Sequence, residues 1–143
     1  MKKKAIGIGI VIVAVSLIIT VSTNFSEKKD EAIFHVTLAN PDLYKNGLYR
    51  DNFSIKNGDY KFRFVPNGDS PQILTITLMG KSLTFTEDFK LEGTPRETGI
   101  STFYTWDYIG QKEFSVGEDQ ELLVLIDPHG NLLGPLSVEI VLI

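Results

Sequence analysis

Tyr60-Lys61-Phe62-Arg63-Phe64 alternates aromatic side chains with basic ones. Successive side chains of a β-strand point to opposite faces of a sheet, so this pattern puts three aromatic rings on one face and two cations on the other. The same alternation occurs at Phe34–Leu38 and at Leu136–Leu142, and no window after residue 31 follows the period of a helix. These patterns predict an all-β domain.

The number and spacing of the candidate strands indicate the architecture. Two runs, Ile73–Met79 and Leu122–Ile126, carry apolar residues on both faces, which is typical of central strands covered by a second layer. We expect some neighbouring candidates to merge, leaving about eight strands with turns roughly every 8 to 12 residues. This spacing predicts an antiparallel β-sandwich of jelly-roll or immunoglobulin-like type over residues 32–143. The candidates are Ile33–Leu38, Leu48–Ile55, Tyr60–Val65, Ile73–Met79, Ser82–Phe85, Phe89–Leu91, Thr102–Trp106, Glu113–Val116, Leu122–Ile126 and Leu136–Leu142.

Asparagine–glycine pairs mark the predicted turns, because both residues tolerate the positive φ angles of tight hairpins. The pairs are Asn46-Gly47, Asn57-Gly58 and Asn67-Gly68. We expect a two-residue hairpin at Asn57-Gly58, between the candidate strands that end at Ile55 and begin at Tyr60. The third pair lies between two prolines and predicts a longer loop.

The last candidate strand, Leu136–Leu142, has one apolar face that must be buried. A turn at Asp127-Pro128-His129-Gly130 reverses the chain before it. Because a buried face contributes to the core, deletion of residues 136–143 is expected to unfold the domain.

An apolar segment before the domain predicts its location. Lys2, Lys3 and Lys4 precede Ala5 to Val21, which contains no charged residue and would span about 26 Å as a helix, close to the roughly 30 Å of a hydrocarbon core. The positive-inside rule puts the lysines in the cytoplasm. We therefore expect a basic cytoplasmic N-terminus at residues 1–4, a transmembrane signal-anchor helix at 5–23, a polar stalk at 24–31 and an extracytoplasmic domain at 32–143. The lipid bilayer is the expected partner of Ala5 to Val21.

Two other interpretations of the N-terminal segment stay open. A cleaved signal peptide shares the lysines but normally has an apolar core of about 7 to 15 residues, and Thr20-Val21-Ser22 is only a passable cleavage site. The start Lys3-Lys4-Ala5, followed by apolar residues, resembles prepilin-type signals. Archaeal filament subunits and archaellum stator proteins combine such a helix with a β-sandwich head, so this resemblance implies a structural role in the cell envelope.

Composition excludes several classes of function. Residues 22–143 contain 11 basic and 18 acidic side chains, a formal charge of −7 (11 − 18), which opposes binding to phosphate backbones. Nucleic acid is therefore not an expected partner. The chain has no cysteine, which excludes disulfides, thiolate metal sites, thiol nucleophiles and a lipid-modified N-terminal cysteine. No cofactor is expected.

Few residues are suited to catalysis or metal binding. The two histidines, His35 and His129, are far apart in sequence, and the motifs Gly-x-Ser-x-Gly, Ser-x-x-Lys and His-Glu-x-x-His are absent. We therefore expect no catalytic residues. One turn carries three residues with possible cation ligands, Asp127, His129 and Asn131, and so predicts a cation site. The site is expected to be weak, because the bidentate Glu that closes a calcium loop is missing.

A group of aromatic residues is the candidate binding surface. Strand alternation puts Tyr104, Trp106 and Tyr108 on one side of a strand and Phe103 on the other. One side is expected in the core, and an exposed side would suit a protein partner or a carbohydrate.

Two Asn-x-Ser triplets begin at Asn24 and Asn52. Both are candidate N-glycosylation sites if the chain is exported, and Asn52 is the better one because Asn24 lies close to the predicted membrane segment.

These features together favour a non-catalytic, membrane-anchored binding or assembly module with a protein partner in the membrane or envelope. The alternative is a pilin-like or archaellum-associated cell-envelope structural protein. A secreted carbohydrate-binding domain is a third and weaker interpretation.

Overall fold

Nine β-strands make up the described part of the chain. A computed structural model describes residues 31–143, so the predicted N-terminus 1–4, the predicted anchor 5–23 and stalk residues 24–30, with Asn24, lie outside the described residues. The prediction of an all-β fold is confirmed for the described part, which has no helix long and apolar enough to cross a bilayer. The strands are β1 (Ala32–Leu38), β2 (Tyr49–Ile55), β3 (Gly58–Pro66), β4 (Ile73–Met79), β5 (Thr84–Glu97), β6 (Thr102–Ile109), β7 (Glu113–Val116), β8 (Gln120–Asp127) and β9 (Leu136–Leu142), with a short 3-10 helix at Pro41–Leu43.

The strands form two antiparallel sheets. The first has the order β1-β9-β3-β7 and the second has the order β2-β8-β4-β5-β6. The two runs that are apolar on both faces, β4 and β8, are interior strands of the second sheet, as their sequences predict. The last strand, β9, is also interior, because it pairs with β1 on one side and with β3 on the other.

Buried side chains from both sheets share one hydrophobic core. In β3 the alternation works as predicted: Tyr60, Phe62 and Phe64 are buried, and Lys61 and Arg63 are exposed. The Phe62 ring lies within 6.1 Å, centroid to centroid, of four other phenylalanine rings, which belong to β3, β5 and β7. Burial of each such side chain stabilises the fold by about 1.5–3 kcal/mol, so this aromatic cluster is a large part of the core.

The predicted hairpin at Asn57-Gly58 is wrong. The strand before it, β2, pairs with β8 in the second sheet, whereas β3 pairs with β7 and β9 in the first. The connection is held by other contacts: the Asp119 carboxylate accepts from the Asn57 N–H at 2.8 Å, and the Tyr60 hydroxyl donates to the Lys56 carbonyl at 2.8 Å. β2 and β3 therefore belong to different sheets, and each contributes its apolar face to the core. The Asn57-Gly58 segment carries the chain from one sheet to the other.

A tight two-residue turn forms at a different pair, Asn46-Gly47. Both residues have positive φ angles, 53° and 81°, and the flanking Lys45 and Leu48 exchange backbone hydrogen bonds of 2.8 and 3.1 Å. Positive φ at both central positions is the requirement of the favoured hairpin turn, which explains the sequence here.

Two candidate strands, Ser82–Phe85 and Phe89–Leu91, merge into one long strand, β5, which begins at Thr84. The acidic pair between them, Glu87-Asp88, does not interrupt it, because both residues pair with β4. Glu87 accepts from the Gln111 N–H at 2.8 Å, and Asp88 accepts from the Thr75 hydroxyl at 2.6 Å.

Candidate functional site

A projecting β-hairpin is the most distinctive feature of the described domain. The β4 strand accompanies β5 only as far as Lys90. Beyond that point, Glu92–Glu97 pairs only with Thr102–Asp107 of β6. We name residues 92–107 the hairpin arm. Six residue pairs in extended conformation give it a length of about 20 Å.

The arm points away from the end of the domain at which the chain enters β1. Ala32 pairs with Val141 near the end of β9, where β3 also begins, and the Asn57–Asp119 hydrogen bond ties that end to the start of β8. The β5 strand begins at this same end, because Met79 pairs with both Thr84 and Leu123. Since β5 then runs away from that end, the tip of the arm is distal to Ala32.

Apolar side chains are exposed at and near the tip of the arm. A turn at Thr98–Ser101 closes it, with the Thr98 N–H donating to the Ser101 carbonyl at 3.0 Å. Ile100 in this turn is 99% exposed, Phe103 is 49% exposed and Tyr104 is 56% exposed. Large apolar side chains grouped on a projecting element are typical of a contact surface for another molecule.

Close packing of Trp106 against glycines fixes the base of the arm. A Cβ atom added at Gly93, which pairs with Trp106 across the hairpin, would lie 2.7 Å from the indole ring, and one added at Gly68 would lie 3.1 Å from it. The ring therefore packs directly on the backbone at both positions. Tyr104 lies beside it, with ring centroids 6.0 Å apart.

The three predicted binding residues have different environments. Tyr104 is exposed, Trp106 is half-buried, and Tyr108 is fully buried in the core. The Tyr108 hydroxyl donates to the Pro71 carbonyl at 2.6 Å, so this side chain holds the arm to the β3–β4 loop and has no surface to offer a partner. The binding role of Tyr104 and Trp106 stays a prediction. The sequence reasoning missed Ile100, whose position between Gly99 and Ser101 is the only signal that it lies in a turn.

Burial changes the acidity of several tyrosines near the core. Burial, with the neighbouring Tyr44 as a smaller cause, raises the pKa of Tyr108 well above its usual value, and burial also raises the pKa of Tyr44. Burial, followed by the nearby Asp51 carboxylate, raises the pKa of Tyr49 to about 12. All three phenols are therefore neutral at physiological pH and act as hydrogen-bonding or packing groups.

The two edges of the arm differ in their openness to further pairing. On the β5 side, Pro95 has no N–H to donate to an added strand. Prolines on the edge strands of natural proteins discourage pairing with other chains in this way. On the β6 side, Thr102–Ile109 contains neither proline nor lysine, and among the described strands β6 pairs with β5 alone. The β6 edge is thus the open one.

A groove of about 670 Å³ lies between the arm and β3. Its lining includes four of the nine basic residues of positions 31–143 but only two of the 16 acidic ones, a charge of +2 (4 − 2), or +1 (4 − 3) when Glu139, the partner of Arg63, is counted. Arg63 is paired with Glu139 at 2.6 Å and Lys112 with Asp107 at 2.7 Å. Within the described residues, Lys61 and Arg96 make no ion pair. The charged lining residues are Lys61, Arg63, Arg96, Lys112, Glu92 and Asp107.

The predicted cation ligands on the β8–β9 turn are occupied by local hydrogen bonds. Asp127 accepts from the His129 N–H at 2.8 Å, and the His129 ring lies 2.7 Å from the Thr75 hydroxyl. The Asn131 side chain donates to the Asp69 carbonyl and accepts from the Gly134 N–H. His129 has a φ of 51°, as its place in a turn suggests. No cluster of three or more His, Cys, Asp or Glu side chains suited to a metal occurs among residues 31–143, and the weak cation site stays a prediction.

Two further candidate residues lie on exposed edge strands. His35 is on β1 and contacts Thr37, and Asn52 is on β2, where it pairs with Leu123. Both side chains are exposed, so Asn52 is sterically accessible as a glycosylation acceptor.

The sequence matches no protein-family model and no curated protein. Its function is therefore inferred from its own residues and their geometry.

Proposed function

We propose that the protein is a membrane-anchored, extracytoplasmic β-sandwich that acts as a non-catalytic binding or assembly module, with the hairpin arm as its contact element. The observation that carries this proposal is the arm itself, which extends about 20 Å beyond β4 and exposes Ile100, Phe103 and Tyr104.

The strand order supports a jelly-roll form of the sandwich. Successive strands alternate between the two sheets from β1 to β4. Without β6, the strand orders are β1-β9-β3-β7 and β2-β8-β4-β5, which are the two four-stranded sheets of a jelly roll. In this arrangement β6 is an additional edge strand. An added strand that carries the exposed aromatic residues is a reasonable location for a function that the remaining strands do not need.

The direction of the arm suits a tethered domain. The predicted anchor at residues 5–23 would hold the domain from the Ala32 side through a stalk of eight residues, 24–31. Because the arm leaves the domain at the end distal to Ala32, a stalk joined at Ala32 would enter the domain far from the tip of the arm.

The test is a pull-down of the intact protein after gentle detergent extraction. Wild type is compared with a tip variant, Ile100→Ser with Phe103→Ser and Tyr104→Ser, and with a matched control, Val65→Ser with Leu133→Ser, which removes exposed apolar side chains elsewhere. We expect a stoichiometric partner with wild type and the control, and its loss with the tip variant. Recovery of wild type as an isolated monomer would contradict the proposal.

The pilin-like alternative makes a different prediction for the mature N-terminus. A mass that corresponds to a start at Ala5 or Ile6 would favour processing as a filament subunit, whereas an intact Met1 or Lys2 favours a static anchor. Cleavage after Ser22 would instead favour a secreted domain.

A further inference from the structure

We propose that the open edge of β6, together with the basic groove beside it, binds an extended acidic segment of a protein partner by strand addition. This inference rests on the proposed binding function and names the chemistry of the partner.

The two edges of the arm differ in how well they can hydrogen-bond to an added strand. In an antiparallel ladder every second residue of an edge strand directs its N–H and C=O outward, so the eight residues of β6 offer about four such positions. Pro95 weakens pairing along the opposite edge. An added strand would therefore lie alongside β6, where Thr105 and Asp107 line the groove.

The charge of the groove selects an acidic strand. Lys61 and Arg96 make no ion pair within the described residues, and both are exposed. The domain as a whole carries −7 (9 − 16 over residues 31–143), which would repel an anionic ligand at long range. At physiological ionic strength the screening length is about 8 Å, so nearby cations dominate over the distant charges. A strand with carboxylates at alternate positions would place them on the groove side.

The packing of Trp106 favours a peptide over a polysaccharide. Sugar rings are commonly bound by stacking on an exposed aromatic face, but the Trp106 ring packs against the backbone at Gly68 and Gly93. The groove instead combines basic side chains with the open edge of β6. The N–H and C=O groups of such an edge hydrogen-bond to the backbone of a peptide.

The experiment measures peptide binding to the full chain in detergent micelles by fluorescence anisotropy. The probe is a fluorescein-labelled eight-residue peptide of alternating Val and Glu. Alternating Val and Lys tests charge, alternating Pro and Glu tests the need for backbone N–H groups, and dextran sulfate as a competitor tests a polysaccharide ligand. The groove variant is Lys61→Glu with Arg96→Glu, and the matched control is Lys45→Glu with Lys81→Glu, because all four side chains are exposed.

We expect the Val-Glu peptide to bind wild type and the control equally and the groove variant at least tenfold more weakly. The Val-Lys and Pro-Glu peptides should also bind at least tenfold more weakly than Val-Glu. Hydrogen exchange of wild type should slow across residues 102–109 when the Val-Glu peptide is present. Equal binding by the groove variant, tight binding of the Pro-Glu peptide, or displacement by dextran sulfate without protection of residues 102–109 would each overturn the inference.

The outcome also separates this inference from the proposed function. If the peptide fails to bind while wild type still captures a partner that the tip variant loses, the binding function stands and the acidic-strand inference falls. If the peptide binds as expected but wild type captures no partner from the membrane extract, the groove chemistry stands and the assembly role falls.

Discussion

Replacing Tyr108 with Phe tests how much one buried hydrogen bond, next to the base of the hairpin arm, contributes to the stability of the domain. The Tyr108 side chain is fully buried and its hydroxyl donates to the Pro71 carbonyl, which is buried as well. The variant Tyr108→Phe keeps the ring and leaves that carbonyl without its partner. An unsatisfied buried polar group costs about 1–3 kcal/mol, so we expect a loss of about 2 kcal/mol in the free energy of unfolding.

Urea denaturation gives the direct measurement. With a denaturant slope of about 1.5 kcal/mol per molar for a domain of this size, a loss of about 2 kcal/mol lowers the midpoint by about 1.3 M at unchanged slope. Trp106 is the only tryptophan of the chain and lies two residues from the substitution, so its fluorescence reports on the arm while far-ultraviolet circular dichroism reports on both sheets. Coincident transitions by the two probes would indicate that the arm and the sheets unfold together.

Tyr104→Phe is the matched control, because it removes the same hydroxyl from an exposed ring of the same strand. Its effect should stay within about 0.5 kcal/mol, as for most surface substitutions. A midpoint for Tyr108→Phe within about 0.3 M of wild type, or an equal loss from Tyr104→Phe, would refute the role assigned to the Tyr108 hydroxyl.

Two further perturbations follow from the structure. Burial raises the pKa of Tyr44, Tyr60 and Tyr108 in the folded chain, while unfolded phenols ionise at about pH 10. These groups should therefore leave the free energy of unfolding unchanged below about pH 10. Above that pH, the free energy of unfolding should fall by about 1.4 kcal/mol per pH unit for each phenol still neutral in the fold. Urea midpoints that do not decrease between pH 9.5 and 11.5 would contradict this. Gly134→Ala should lower the free energy of unfolding by about 1–3 kcal/mol, because the new Cβ would overlap the Asp69 carbonyl oxygen and the Asn131 side chain. Gly117→Ala is the control and should cost little, because nothing lies within 4 Å of its Cβ. Thermal melts of the two variants check the difference.

Local alternation was sufficient to predict the strands but not their partners. The predicted bounds of β4, β7 and β9 agree with the structure. β7 and β9 have a clear period of two, and β4 is an apolar run that lies between Gln72 and Gly80. The same signal could not decide which sheet a strand joins. β2 and β3 both carry apolar residues on one face, and the Asn57-Gly58 pair between them suits a hairpin as well as a crossing. The crossing comes from pairing with strands distant in sequence: β2 pairs with β8, and β3 pairs with β7 and β9.

The candidate site was predictable only in part, because its properties depend on where β4 ends. The aromatic group near Trp106 is visible in the sequence, but nothing there indicates that β5 continues beyond β4 and carries β6 with it. Burial of Tyr108 and exposure of Tyr104 follow from that geometry, since alternate residues of β6 face the core only where the first sheet lies opposite. The basic groove joins Lys61 to Arg96, 35 positions later (96 − 61), a proximity that arises from tertiary packing.

The pairing of β1 with β9 has a consequence for how the chain acquires its fold. Thr37 and Ser137 lie within 3.2 Å of each other through their hydroxyl oxygens although 100 positions separate them. At about 5–20 residues per second, ribosomal synthesis makes β1 about 5 to 20 s before its neighbour exists. The first sheet lacks an interior strand throughout that interval, so its apolar residues are open to aggregation and folding must follow synthesis of the whole domain.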